Sequence, residues 1–423
     1  MKTQLLLAYC FPPQANAESI VTAQMVKALS SLGWQSQVCT ERVERGNGQA
    51  DADLEDLLPD GLTVYRCAPL PGSRCLRLLR RMGLRKLSAT LAALPDESLF
   101  WIPVAVRLLR RLQHHGRWDV IHSRAMPFGG NLLGLLAKRM LGIPWLAHFS
   151  DPWVDSPFYI PATPRLRRLH LRWEREIISV ADRVTFTNER ALRVVMAKYP
   201  SDWAAKCRVV PHGFSRHAPG GPVSEPLEAG CLNVVYLGSL YGIRNPDVLF
   251  RALHALRADP EIGSRVRIWL VGRMPMEVYA RNVRDLSIGG MVRLMPPVSY
   301  TKALQTARRA DVLLTIDPVG PGPDVFSPSK LIEYLGLGKP IWGIVRRAGA
   351  SARLIEGAGG VTADHADAPA VAASLRRLLD RWRRGELRPP DPNYPDVQCC
   401  SIDRTAEGLA AILDDMRSAA RPH

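Results

Sequence analysis

The chain has 423 residues, of which 47% are hydrophobic, and it carries a formal net charge of +16. This is the composition of an ordinary globular protein that can bury a large core, and two domains are expected. The eight cysteines include no CxxC pair and have no histidine partners at zinc spacing. We therefore expect no disulfide framework and no metal site, and we expect reduced cysteines in a cytoplasmic protein.

The first segment, MKTQLLLAYCFPPQANAES, contains an apolar run that resembles the core of a signal peptide. That run, Leu5 to Phe11, is short, only Lys2 precedes it, and Pro12 and Pro13 end it. We therefore predict a buried first strand. No run of about 18 apolar residues occurs elsewhere, so no membrane-spanning helix is expected.

Basic residues are concentrated between Arg74 and Arg111, where nine of them face only two acids, Asp96 and Glu97. Within SRCLRLLRRMGLRKL, four apolar residues share part of a helix face and five basic residues cover the rest: Leu76, Leu79, Met82 and Leu87, against Arg77, Arg80, Arg81, Arg85 and Lys86. This pattern predicts a helix on an anionic membrane surface, with a packed helix whose basic face is solvated as the alternative. No RNP motif or zinc finger accompanies the charge, so no nucleic-acid partner is expected.

Strand and helix patterns alternate along the first half of the chain. The predicted strands are QLLLAYCF, SQVCT, WDVIHSR, IPWLAHFS and RVTFTN, and the predicted helices are ESIVTAQMVKALSSLG, GGNLLGLLAKRMLG and PRLRRLHLRWEREIISVA. Short β-branched runs that alternate with amphipathic helices predict an α/β fold with a doubly wound parallel sheet.

The alternation stops at GFSRHAPGGPVSEPLEAG, which is rich in proline, glycine and polar residues. We therefore predict a first domain over residues 1–214, a linker over 215–230 and a second α/β domain over 231–397. The second domain's strands are LNVVYLGS, VRIWLVG, MVRLMPP, DVLLTID, PIWGIV and AGGVTA. Two such domains are expected to leave a cleft where ligands bind at the carboxyl ends of strands.

Five stretches resemble, in the same order, the glycosyltransferases of the GT-B fold, most closely glycosyltransferase family 4. They are the opening strand with FPP, GIPWLAHFSDPW, ADRVTFTN with VVPHGF, VVYLGSLYGIRNPDVLFRAL and SPSKLIEYLGLGKPI. The resemblance implies two Rossmann-like domains, with residues 398–423 forming a helix that packs back on the first domain. It also implies transfer from a nucleotide sugar, more often a UDP- or GDP-sugar, with retention at the anomeric carbon and no further cofactor.

SPSKLIEYLGLGKPI is the proposed site for the donor diphosphate. Ser327 is the expected N-cap of a helix whose free N–H groups and dipole attract an anion, and Lys330 adds a point charge at the same end. The resemblance implies that Glu333 accepts hydrogen bonds from the ribose hydroxyls and that Ser329 and Leu331 belong to the donor site. A plain surface ion pair between Lys330 and Glu333 is the alternative.

The loop after VVYLG supplies the second expected cation. The resemblance places Arg244 where it would neutralise the leaving diphosphate, with a solvated loop arginine as the alternative. Gly238 and Gly272 would let the backbone approach the donor closely. Ser239, in the same loop, stands where many relatives have arginine.

The sequence departs from the family pattern where the donor sugar is held. The second acid expected eight positions before Glu333 is Val325, with Asp324 one residue away. The glycine pair that is common after the first strand is replaced by QANA, Gln14 to Ala17. These departures keep open a nucleotide-sugar-binding protein without transfer activity.

Three residues are assigned to the acceptor side. Asp151 in FSDPW follows a strand and would contact the acceptor hydroxyl or the transferred sugar, with a turn cap as the alternative. His148 on the same strand could share that face, with a core histidine as the alternative. Asn16, in the loop after the first strand, is the third.

The expected function is a retaining glycosyltransferase of surface-polysaccharide type. It would move a sugar to a lipid-linked or glycolipid acceptor at the inner face of the plasma membrane, as a cytoplasmic or peripheral protein. No DxD motif occurs in a suitable loop, so Lys330 and Arg244 are expected to replace a metal ion. A soluble natural product is the alternative acceptor.

Overall fold

A computed structural model of the chain describes residues 2–43, 50–92, 94–114, 116–161, 163–215, 225–319, 325 and 328–420. These residues divide into two compact units. The first unit joins Met1–Gly213 to Ile402–His423, and the second comprises Phe214–Ser401.

The first unit is built on a parallel sheet. Its strands are β1 (Lys2–Ala8), β2 (Trp34–Glu41), β3 (Thr63–Cys67), β4 (Val120–Ala125), β5 (Trp145–Phe149), β6 (Arg183–Phe186) and β7 (Cys207–Val209). Within the described residues they form a seven-stranded sheet in the order β3-β2-β1-β4-β5-β6-β7. The order reverses direction between β1 and β4, which defines the topological switch point of a doubly wound sheet.

Helices cover both faces of this sheet. They are α1 (Ala17–Ser31), α2 (Gly72–Arg81), α3 (Arg85–Ala92), α4 (Ile102–Leu112), α5 (Gly129–Leu141), α6 (Pro164–Val180) and α7 (Glu189–Met196), with 3-10 turns at Ala52–Leu57, Glu97–Phe100 and Ser201–Lys206. Met25 and Leu29 of α1 pack on the face that carries Val120. Gly134 of α5 lies on the opposite face, where a Cβ would come within 2.6 Å of Ser123 Oγ.

The second unit has the same architecture. Its strands are β8 (Leu232–Leu237), β9 (Val266–Val271), β10 (Val292–Met295), β11 (Val312–Ile316), β12 (Ile341–Val345) and β13 (Val361–Asp364). Its helices are α8 (Asp247–Leu256), α9 (Pro260–Arg265), α10 (Met276–Asp285), α11 (Tyr300–Arg308), α12 (Ser329–Leu337), α13 (Ala350–Gly357), α14 (Ala368–Arg383) and α15 (Pro395–Cys399). Among the described residues the six strands are parallel in the order β10-β9-β8-β11-β12-β13.

Alternate residues of each central strand of the second unit enter two different cores. Val234 of β8 packs with α8 and α14 in one core. Val235 packs with α12 and α13 in the other. A strand that is buried on both faces is mostly apolar, which explains the run VVYL at the end of β8.

The linker predicted over residues 215–230 needs a correction. Residues 225–230 belong to the second unit, because Glu228 pairs with Arg267 at 2.7 Å and its N–H donates to Asn233 Oδ1 at 3.1 Å. Residues 216–224 lie outside the described residues. Phe214 also belongs to the second unit and is part of its core.

The C-terminal boundary also shifts. The prediction returns the chain to the first domain at residue 398, whereas Ser401 still belongs to the second unit and the return begins at Ile402. The reason is that Cys400 is buried in the second unit's core. The last helix, α16 (Ile402–Ala419), packs Leu409 and Leu413 against α1.

The basic segment forms two helices instead of one. Helices α2 and α3 are separated at Gly83, which has a φ of +79° and so ends the first helix in a left-handed conformation. The predicted face is also wrong in part, because Leu76 and Leu79 are partly buried. Leu78 and Met82 are instead 58% and 62% exposed.

Candidate functional site

Two glycines meet at the carboxyl edge of the second sheet. Gly238 follows β8 and Gly272 follows β9, with φ angles of +136° and +144°, a region that other residues rarely adopt. Gly238 N–H donates to Val271 O at 2.9 Å, and a Cβ on Gly272 would lie 2.0 Å from Gly238 O. Both positions therefore require glycine, and together they leave this edge open for a ligand.

Helix α12 begins beside this glycine pair, one residue later than predicted. Pro328 is its N-cap, with a ψ of 126°, and Pro328 O accepts from the N–H groups of Leu331 and Ile332. Ser327 lies outside the described residues, so its predicted capping role has no structural description. Lys330 is therefore the second helical residue rather than the third, still within the positive end of the helix dipole.

Lys330 reaches from α12 towards Gly238. A Cβ on Gly238 would lie 3.8 Å from Lys330 Cε. Lys330 Nζ is also 3.6 Å from Glu333 Oε2, with the lysine side chain 30% exposed. The ion pair considered as the alternative is thus present, and it lies next to the open glycine edge.

Glu333 has a second partner that the sequence analysis missed. The Tyr300 hydroxyl donates to Glu333 Oε1 at 2.6 Å. Leu331 faces the core and its N–H is used within the helix, so its assignment to the donor site has no support from its side chain. The hydroxyl of buried Tyr334 accepts from Leu237 N–H at 2.9 Å and fixes α12 to β8.

Arg244 lies half-buried in the loop after β8. Its N–H donates to Tyr241 O at 3.0 Å and its guanidinium lies 6.0 Å from the centre of the Tyr241 ring. Ser239 contributes its carbonyl, which accepts from Tyr236 Oη at 3.1 Å. Burial raises the pKa of the Tyr236 hydroxyl, and the positive charge of Arg244 opposes that shift.

The Val325 side chain is apolar and fully buried, so it offers no polar group to a sugar. Asp324 lies outside the described residues. Another acid, Asp317, follows β11 at the same edge, is 3% exposed and accepts from Ser351 Oγ at 3.3 Å. The signal for Asp317 was in the sequence, since DVLLTID ends a buried strand with an acid at the edge where ligands bind.

In the first unit, the predicted acceptor residue Asp151 follows β5 and is half-buried. Ser150 beside it donates from Oγ to Glu18 Oε2 at 2.8 Å, and Thr187 Oγ1 donates to Ser150 O at 2.9 Å. Glu18 in turn accepts from Arg124 Nε at 2.8 Å. A buried ion pair therefore holds the segment that carries Asp151.

His148 is a core residue, as its structural alternative proposed. It is 3% exposed and its Nδ1 lies 3.0 Å from Thr185 Oγ1. Burial lowers its pKa well below the usual range, and the nearby Arg124 charge adds to this effect. The same two causes lower the pKa of His122 and of His212 to about 3. All three side chains are therefore neutral near pH 7.

Asn16 has a structural role that the acceptor assignment did not include. It is the N-cap of α1, and its Oδ1 accepts from Ser19 N–H at 2.9 Å. This is the ordinary function of asparagine before a helix. Its contact with an acceptor stays a prediction.

A group of acids near the carboxyl ends of β1 and β2 was also missed. Burial raises the pKa of Glu41, Asp96 and Glu97. Asp96 accepts from Ser98 N–H at 3.0 Å.

In the described part of the chain, no group of three or more histidine, cysteine or acidic residues is placed to hold a metal ion. None of the described helices is long and apolar enough to cross a membrane.

The sequence of this chain is similar to those of known glycosyltransferases. Residues 19–213 match the family described as glycosyl transferase 4-like domain. A D-inositol 3-phosphate glycosyltransferase of Acidothermus cellulolyticus is 24% identical over 421 residues, which cover 95% of this chain and 86% of that protein.

Solved structures agree on the fold. Sucrose-phosphate synthase from Thermosynechococcus elongatus superposes with a TM-score of 0.70 at 16% identity and covers 99% of this chain and 100% of its own. Trehalose-6-phosphate synthase from E. coli bound with UDP-2-fluoro glucose gives 0.63 at 14% identity, with 99% of each chain covered. The chain therefore has the GT-B fold. More particularly, its first unit contains a glycosyl transferase 4-like domain, which confirms the resemblance to family 4.

Proposed function

We propose that the protein transfers a sugar from a nucleotide-sugar donor, with retention at the anomeric carbon, to a lipid-linked or glycolipid acceptor in surface-polysaccharide synthesis. The observation that carries the donor part is the arrangement of Lys330, Gly238 and Gly272 at the start of α12. An open backbone edge, a helix N-terminus and an ammonium group at one place suit a diphosphate. The E. coli trehalose-6-phosphate synthase structure contains a UDP-sugar, which supports a donor of UDP type with GDP as the alternative.

The proposed chemistry follows from the charges that develop. The bond between the anomeric carbon and the diphosphate breaks, and the acceptor oxygen forms its bond to the same face of that carbon. The acceptor proton passes to the departing phosphate oxygen. Lys330, Arg244 and the N–H groups at the start of α12 would stabilise the negative charge on the leaving group as it forms.

We further propose that these cations make a divalent metal unnecessary. Two fixed positive side chains at one edge can supply the charge neutralisation that a metal ion gives in other transferases. Transfer by the purified protein should therefore continue at an unchanged rate in excess EDTA. A rate that falls in EDTA and returns with Mg²⁺ or Mn²⁺ would contradict this part of the proposal.

On the acceptor side, Asp151 is the proposed contact for the attacking hydroxyl. Its half-buried position after β5, on a segment held by Glu18, supports a precisely placed carboxylate. The lipid part of the proposal rests on α2 and α3. Exposed apolar side chains there stand among exposed arginines: Leu78, Met82, Leu84 and Leu87 with Arg77, Arg80, Arg81 and Arg85.

This surface suits a peripheral attachment to anionic lipid. The sequence has no acidic residue between Gly61 and Pro95, so nothing along this segment offsets its positive charge. Leucine and methionine would enter the interface while arginines contact the headgroups. Because α2 follows β3, the surface begins at the carboxyl edge of the first sheet, the edge that also carries Asp151.

A soluble acceptor is the second candidate. The Acidothermus cellulolyticus relative is named for inositol 3-phosphate and the Thermosynechococcus elongatus structure is a sucrose-phosphate synthase. These names favour a small phosphorylated polyol or sugar. The remaining alternative, a nucleotide-sugar-binding protein without transfer, predicts tight donor binding with no turnover.

The deciding test of the donor site uses Lys330→Ala. The variant should lose transfer, and slow donor hydrolysis without acceptor, by about 100-fold or more, because it removes one prearranged charge on the leaving group. Lys302→Ala is the matched control, since Lys302 is an exposed lysine in the first turn of the neighbouring α11. Equal activity of Lys330→Ala and Lys302→Ala would exclude the proposed role. No turnover by the wild type across UDP- and GDP-sugars would favour the binding protein.

The lipid-linked acceptor is tested by vesicle sedimentation. Replacing Arg77, Arg80 and Arg81 with glutamate should release the protein from vesicles that contain phosphatidylglycerol. The control replaces three exposed arginines of α6 with glutamate, Arg165, Arg168 and Arg172, and changes the net charge equally. Release by both triple variants would indicate that only net charge matters. If the α2 variant stays bound to the vesicles, the proposed membrane-binding role of α2 and α3 is contradicted.

A further inference from the structure

Tyr300 occupies a position that links two elements of the donor edge. It is the first residue of α11, directly after the N-cap Ser299, and it is 4% exposed. Its hydroxyl donates to Glu333 Oε1 on α12 at 2.6 Å. A hydrogen bond of this length between a phenol and a carboxylate belongs to the strong, charge-assisted class.

The two oxygens of Glu333 have different partners. Oε1 accepts from Tyr300, while Oε2 lies 3.6 Å from Lys330 Nζ. A carboxylate offers about four lone-pair sites, so these partners leave roughly two. Two acceptor sites on one carboxylate match two neighbouring hydroxyls of one ring.

The hydrogen bond also removes freedom from the glutamate. A glutamate side chain has several rotatable bonds, and fixing it on ligand binding costs free energy that reduces affinity. With a side chain that is 14% exposed and tied to Tyr300, Glu333 is already fixed before a ligand arrives. A fixed carboxylate selects a ligand whose hydroxyls meet it at the correct positions.

We propose that Tyr300 is a positioning residue that holds Glu333 to bind the vicinal ribose hydroxyls of the donor nucleotide. This inference rests on the proposed nucleotide-sugar donor. It assigns Tyr300 a role in recognising ribose, because its hydroxyl donates to Glu333. Loss of Tyr300 should therefore change the preference for ribose and leave the contact with the diphosphate intact.

The test compares UDP with 2′-deoxy-UDP by titration calorimetry, or GDP with 2′-deoxy-GDP if the wild type binds guanine nucleotides. The wild type should bind the ribonucleotide about tenfold more tightly, as expected for one hydrogen bond to a charged group. Tyr300→Phe should reduce this preference to about threefold or less. Inorganic pyrophosphate should bind the wild type and the variant equally, and the KM for the donor should rise with kcat nearly unchanged.

Tyr279→Phe is the control, because Tyr279 is another buried tyrosine of the same unit, packed edge-on against Phe250. It should retain the wild-type preference for ribose. A tenfold preference that persists in Tyr300→Phe would overturn the role of Tyr300 while the nucleotide-sugar proposal stands. Failure of the wild type to bind either UDP or GDP would overturn the nucleotide-sugar proposal and this inference together.

Discussion

Replacing Glu18 by glutamine tests the buried ion pair that supports the acceptor side. The Arg124 side chain is 4% exposed and its Nε donates to Glu18 Oε1 at 2.8 Å, with the glutamate side chain 12% exposed. Within the described residues, Arg124 Nη2 has no hydrogen-bond partner. Glutamine preserves the shape and removes the charge, so a buried guanidinium is left without a counterion.

The expected cost is large because both groups are shielded from water. Breaking a buried pair by removing one partner costs roughly 3–5 kcal/mol, and we expect the lower end because glutamine still offers an oxygen. For a unit of this size, ~3 kcal/mol corresponds to about 6–12 °C in the melting temperature.

Scanning calorimetry of the full chain measures this shift. The two units need not unfold in one transition, so hydrogen exchange of peptides from β4 and β5 identifies the first unit. Glu407→Gln is the control, because the Arg404–Glu407 pair at 3.2 Å has side chains 73% and 52% exposed. That change should alter stability by about 0.5 kcal/mol or less. If Glu18→Gln lowers the melting temperature no more than Glu407→Gln does, the buried pair does not stabilise the first unit as argued.

Two further predictions concern the glycine edge and acid stability. Gly272→Ala should lower the melting temperature of the second unit more than Gly238→Ala does. A Cβ on Gly272 would lie 2.0 Å from a backbone atom, whereas the nearest side-chain atom to a Cβ on Gly238 is 3.5 Å away. Equal falls in melting temperature would refute the close approach at Gly272. His122 has a pKa lowered to about 3 by burial, so between that pH and about 6.5 the unfolded chain binds a proton that the folded chain does not. The free energy of unfolding should therefore fall as pH drops from 6.5 to 5, with a limiting slope of about 1.4 kcal/mol per pH unit for this histidine. His122→Asn should reduce the accompanying fall in melting temperature. An identical pH profile for the variant and the wild type would contradict the role of His122.

The sequence predicted every described strand in which all residues are buried, namely β4, β5, β8, β11 and β12. Each strand of the second unit overlaps a predicted stretch, because runs such as NVVYL contain no exposed position. Strand β3 was missed because its burial is irregular, with exposed Thr63 and Arg66 at the edge of the sheet. Strand β7 has only three residues, Cys207–Val209, which is too short for a periodic pattern.

In the candidate site, contacts between residues close in sequence could be predicted, whereas contacts between distant residues could not. Lys330 and Glu333 are three residues apart on one helix, so their pairing follows from the helical repeat alone. Tyr300 and Glu333 are separated by 33 residues, and Glu18 and Arg124 by 106. The second pair meets only because β1 lies beside β4, so that α1 begins at the edge where β4 ends.

That neighbour relation is a property of sheet order, and no local pattern encodes it. The polar contacts that are most informative about function are therefore the hardest to predict from the sequence. A residue such as Arg124 reads in the sequence as one more cation in a chain of net charge +16. Its structural role becomes clear only from its burial beside Glu18, because an arginine that is 4% exposed needs a fixed counterion. The same glutamate also accepts from Ser150, the neighbour of Asp151.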